Sequence, residues 1–111
     1  MDEIRQVAVR IIRSYIRELE HNVQYQWQEK HLAQIYYSKI AAIKLLSYVK
    51  TDKLLSPMTI VENFRDKMNE YACMNDFNSR MFSIQVDVAE YILDEIVVYQ
   101  ERRKSKWTNQ N

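Results

Sequence analysis

Glycine is missing altogether from these 111 residues, where average usage would supply about eight. It is the residue that adopts φ > 0 without strain, makes primed hairpin turns and lets a backbone approach a phosphate. Hairpin-rich sheets are therefore awkward for this chain. The P-loop, the dinucleotide fingerprint, the EF-hand loop and the nucleophile elbow each lose a residue they need. Cysteine occurs once, at Cys73, so no internal disulfide can form and a reducing cytoplasmic setting is expected. The opening MDEIRQVAV carries carboxylates where a secretory signal carries basic residues, which points the same way. Net charge is almost absent too. At +1 the chain sets up no strong long-range field, so nucleic-acid or membrane contact would need local clustering.

What is present is an ordinary folded composition, 47% hydrophobic and 28% charged, enough for one domain with its own core. Leu32–Val49, LAQIYYSKIAAIKLLSYV, is the most apolar stretch. At 100° per residue Leu32, Ile35, Tyr36, Ile40, Ile43 and Leu46 share one broad face, with Tyr37, Leu45, Tyr48 and Val49 round its sides. A helix apolar over most of its circumference belongs in the middle of a bundle. Lys39, Lys44, Gln34 and Ser38 inside the stretch argue against a membrane span, and no membrane role is expected.

Before it, Ile4, Ala8, Ile11, Ile12, Tyr15 and Leu19 recur at helical spacing, with Arg10, Arg13 and Arg17 grouped on the opposite side. His21-Asn22 is the weakest point between residues 3 and 50, and Asn tolerates the left-handed C-cap. A turn in Asn22–Gln26 is therefore expected, with one continuous helix pairing with a second chain as the alternative. After Lys50, Ser56-Pro57 supplies an N-cap and a first-position proline, while Thr59 to Glu62 has capping-box spacing; either Ser56 or Thr59 starts the third helix. Ile60, Val61, Phe64, Met68, Tyr71 and Ala72 form its inner face. Met74–Asn78 reads as a loop. The last helix then places Met81, Val88, Ala89, Ile92, Ile96 and Tyr99 inward, leaving Asp87, Glu90, Asp94 and Glu101 as a charged strip. The expected fold is all-α: an antiparallel four-helix bundle without sheet, helices near 3–21, 26–50, 57–73 and 79–104. Residues 1–104 make one domain, and residues 105–111 a frayed tail.

Chemistry is sparse. Glu18-x-x-His21 has the spacing used by di-iron bundles, but those sites need the motif twice plus two further glutamates, and no second copy of the motif occurs here. Cys73 reads as a small buried hydrophobe. The acidic strip Asp87, Glu90, Asp94, Glu101 reads first as a wet helix face and second as a general acid/base pair, a metal clamp or an imitation of nucleic-acid phosphates. No catalytic residue, metal or cofactor is expected, and the chain is not expected to be an enzyme. Most of the eight tyrosines fall at core or core-edge spacing. Tyr25, Trp27 and Trp107 do not, and with Tyr91 and Val98 on the flank of the last helix they are candidate partner contacts. Two basic features, the Arg10/Arg13/Arg17 stripe and the Arg102, Arg103, Lys104, Lys106 tail beside Trp107, could touch nucleic acid by charge and stacking.

Ser56–Val97, with PMTIVENFRDKMNEYACMN followed by MFSIQVDVAEYILD, resembles a pattern seen in small uncharacterised proteins of bacteriophages and integrative mobile elements. The resemblance implies context only: an accessory protein acting by binding another protein, as inhibitors of host defence systems do, anti-CRISPR proteins among them. It transfers no functional residue. Two helices carry more apolar surface than one small subunit should need, so the expectation is a non-enzymatic protein-binding module with a protein partner, a homodimer or both. The alternative is a nucleic-acid accessory protein.

Overall fold

In the computed structural model, which describes residues 2–23, 29–74 and 76–110 (side chains of residues 30 and 105–110 excepted), the chain forms four helices. They are α1 Glu3–Val23, α2 Glu29–Thr51, α3 Pro57–Met74 and α4 Ser79–Gln110. No strand occurs among the described residues. Neighbours run antiparallel. Glu20 of α1 pairs with Lys39 of α2 at 3.2 Å, the Tyr48 ring of α2 meets Phe64 of α3, and Tyr71 of α3 meets Phe82 of α4. The bundle closes where Tyr15 of α1 lies against Tyr91 of α4. It measures 52 × 33 × 24 Å, the long dimension set by α4, whose 32 residues span about 48 Å at 1.5 Å per residue.

Local chemistry explains the helix starts. Asp2 caps α1, its Oδ1 accepting the Arg5 backbone N–H at 2.8 Å. Ser56 rather than Thr59 caps α3, its Oγ accepting the Thr59 N–H at 3.2 Å, with Pro57 at the first helical position. In α4 the first backbone bond runs from the Phe82 N–H to the Asn78 carbonyl.

The inner faces of α1, α3 and α4 follow the sequence pattern. Ala8, Ile12 and Leu19, then Ile60, Val61, Phe64 and Met68, then Val88, Ala89, Ile92 and Ile96 are all buried. The α2 helix departs from it. Its buried residues are Ser38, Ala41, Ala42, Leu45 and Val49, whereas Leu32, Tyr36 and Ile43 face solvent, Tyr36 at 61% exposure. The reason is helix phase: at 100° per residue the five buried positions cluster on the side opposite Leu32, Tyr36 and Ile43, so only one of two apolar faces can meet the core. The tyrosines differ in the same sense, because Tyr36, Tyr48, Tyr71 and Tyr91 are exposed. Cys73 is exposed rather than buried, since it falls on the outer side of the last turn of α3.

Residues 3–50 form two helices as expected, with residues 24–28 between them outside the described set. Two further expectations change. Asn22 does not make a left-handed cap; α1 continues to Val23, and no described residue has positive φ. Residues 105–110, expected to fray, continue α4 as helix.

Without glycine, the exit from α2 needs another device, and Arg5 provides it. The Arg5 side chain is buried, and its guanidinium donates to three carbonyls at the end of α2 and beyond: Val49, Asp52 at 2.7 Å and Leu55 at 2.7 Å. Helix C-termini leave their last carbonyls unpaired, and a cation there also suits the helix dipole. Asp52 completes the corner, its Oδ1 accepting the backbone N–H groups of Leu54 and Leu55.

Candidate functional site

The antiparallel pairing of α1 and α4 produces the most chemically distinctive surface. A groove of about 510 Å³ runs between them, lined on the α1 side by Val7, Arg10, Ile11, Arg13, Ser14 and Arg17, and on the α4 side by Glu95, Val98, Tyr99 and Arg102. Arg10, Arg13 and Arg17 are exposed, as are Glu95 and Arg102. No described carboxylate lies within ion-pair distance of any of the four guanidiniums. Two features that are separate in the sequence, the α1 basic stripe and a residue of the C-terminal basic cluster, are thus neighbours in space.

One end of the groove is fixed by Glu3. It pairs with Arg103 and accepts the Tyr99 hydroxyl at 2.9 Å. The Arg103 guanidinium, then the Tyr99 hydroxyl, holds its carboxyl below the usual glutamate range. Toward the other end, Tyr15 and Tyr91 stack with ring centroids 5.1 Å apart and planes tilted by 34°. Burial pushes the Tyr15 phenol up. Burial, then the Glu95 and Glu18 carboxylates, does the same for Tyr91.

Tyr91 and Val98 remain 42% and 40% exposed, so these two candidate contacts are accessible beside the groove. Asp87, Glu90, Asp94 and Glu101 are exposed as well. Tyr91 follows Asp87 by four residues, and Val98 lies four after Asp94 and three before Glu101, spacings that make helix-surface neighbours. The outward face therefore reads, from α1 across to α4, as a row of arginines, the Glu95 and Arg102 of the groove's α4 wall, a strip bearing Tyr91 and Val98, and a row of carboxylates.

Tyr25 and Trp27 fall outside the described residues, as does the Trp107 side chain. The sequence reading passed over Arg5, because a single arginine one turn into an amphipathic helix looks like a solvated charge. Its signal is indirect: α2 ends with neither glycine nor an asparagine cap, so its carbonyls need a donor from elsewhere.

Two other concavities are less distinctive. One of about 440 Å³ between α2 and α3 is lined by Lys44, Tyr48, Phe64, Lys67 and Tyr71 among others, and Lys67 Nζ lies 6.0 Å from the Tyr71 ring centroid. A shallower one of about 250 Å³ includes Tyr15, Asn22, His31 and Ser38. Among the described residues no group of three His, Cys, Asp or Glu could hold a metal ion, and no helix is long and apolar enough to cross a membrane.

No family model, curated protein or solved structure matches this chain.

Proposed function

We propose that the chain is a non-enzymatic protein-interaction module whose contact surface is the outward α1/α4 face. One observation carries the reading: four arginines meet in one groove with no described carboxylate at ion-pair distance, beside the exposed Tyr91 and Val98. Guanidiniums in that state are ready to form bidentate contacts with carboxylates, and arginine and tyrosine are the residue types most enriched at interface hot spots. The partner is a protein surface bearing carboxylates. A phosphate polymer fits less well, because Glu95 stands in the groove and Asp87, Glu90, Asp94 and Glu101 line its far side. The likeness of residues 56–97 to small phage and mobile-element proteins suits such a module, as would a role in blocking a host defence protein.

Fluorescence anisotropy with a labelled glutamate-rich helical peptide tests the reading. The expected result is binding that weakens with salt and is lost when Arg10, Arg13 and Arg17 are replaced together by alanine. A labelled single-stranded DNA and an RNA serve as competitors. If either binds more tightly than the peptide, the nucleic-acid reading takes its place; if nothing binds even at low salt, the face has no such role.

A further inference from the structure

The protein partner can be named more closely, because the α1/α4 face is complementary to itself. We propose that a second copy of this chain docks there, forming a two-fold dimer in which the arginine row of each subunit lies on the acidic row of the other. The inference rests on the reading of this face given above.

Spacing is the first argument. Arg10, Arg13 and Arg17 occupy positions i, i+3 and i+7 of α1, and Asp87, Glu90 and Asp94 occupy i, i+3 and i+7 of α4. Each row spans about 10 Å at 1.5 Å per residue. The rows are equal in length, opposite in sign and both exposed.

Symmetry is the second. Glu3 meets Arg103 and Tyr99, and Tyr15 meets Tyr91, so the two helices are antiparallel and fixed in register. A two-fold axis running along them sets α1 of one subunit over α4 of the other at the same level. Arg17 then stands near the level of Glu90 and Tyr91, and Arg13 near that of Asp94 and Glu95. An axis lying across the helices would set α1 on α1, arginine against arginine, and like-charge juxtaposition is strongly unfavourable. Of the two arrangements the first is the electrostatically favoured one, and like any two-fold contact it is isologous.

The third argument is what lies between the rows. Tyr91 and Val98, 42% and 40% exposed, fall along the centre of the contact, where interfaces place apolar and aromatic groups inside a polar rim. A net charge of +1 permits two copies to approach without overall repulsion.

Charge reversal followed by mixing tests the proposal, read by sedimentation velocity and native mass spectrometry. Wild type is expected to dimerise, with affinity falling as salt rises. R13E/R17E and E90K/D94K each place like charges across both halves of the contact, so each alone should associate at least about a hundredfold more weakly. Mixed together, they restore opposite charges on both halves and should form a one-to-one heterodimer. Circular dichroism controls for folding, and all four sites are exposed. A wild type that stays monomeric at low salt, reversed variants that dimerise as wild type does, or a mixture that fails to pair would each overturn it. The broader reading fails separately. If E90K/D94K, whose arginine row is intact, binds the acidic peptide while wild type never dimerises, the face binds protein but not its own copy; loss of both removes both proposals.

Discussion

Replacing Arg5 with methionine keeps an unbranched stem in the buried site and removes the guanidinium. Three donated bonds disappear, to the carbonyls of Val49, Asp52 and Leu55, together with the 3.3 Å pairing to Asp2. A hydrogen bond to a charged group is worth about 1.5–3 kcal/mol net. The three share one group and are not additive, and the corner carbonyls can recover part of the loss from water. The expected destabilisation is about 3 kcal/mol, at the lower end of what breaking a buried charged contact costs. Against a total stability of about 5–15 kcal/mol for a domain, that is a large share. At roughly 4–6 °C per kcal/mol for this size, the melting temperature should fall by about 12–18 °C. Arg5→Lys offers one compact ammonium in place of a planar fork, and should recover about half of the loss. Asp2→Ala removes the cap and the counter-charge but not the three carbonyl contacts, so its cost should be about 1 kcal/mol. Urea unfolding followed at 222 nm gives all three values. If Arg5→Met lies within about 0.5 kcal/mol of wild type, the level of an ordinary surface change, the α2–α3 corner does not depend on this side chain.

The rotation of α2 is tested by a pair of neighbours: Ala42→Leu forces a large side chain into a fully buried position and should cost about 2–3 kcal/mol, while Ile43→Ser on the exposed side should stay within about 0.5 kcal/mol. Glu3 should contribute to the acid limb of stability. Its folded-state carboxyl sits below the ordinary glutamate range, so the contribution is complete above that range and is lost as pH falls through the lowered value; Glu3→Gln should flatten the limb there, seen in denaturation midpoints collected against pH. Cys73 is exposed and should react with a thiol reagent in the folded protein at a rate near that of a free thiol, whereas slow labelling limited by unfolding would contradict its placement.

Much of the fold was legible because periodicity reports burial directly where one face of a helix is apolar and the other polar. Ile12, Phe64 and Ile92 are core residues on that evidence alone, and Ser56 and Thr59 bracketed the start of α3 within four residues, the structure choosing Ser56. Periodicity pointed to the wrong face of α2, where apolar residues lie on most sides of the helix. Hydrophobicity ranks Ile43 above Ala42, but helix phase puts Ala42 on the buried side and Ile43 on the exposed one. Cys73 misled for a related reason: residue type gives an average burial, and helix phase gives the actual one.

The sequence by itself determined the helical class, the starts of α1 and α4 and three of the four inner faces, because each depends on contacts within a few residues. The chain lacks glycine, and no described residue has positive φ. Tertiary structure alone decided that Arg5 closes the end of α2, forty-four residues away, and that Arg102 joins Arg10, Arg13 and Arg17 around one groove. Those arrangements depend on how antiparallel helices set their register, and register is fixed by side chains meeting across the bundle.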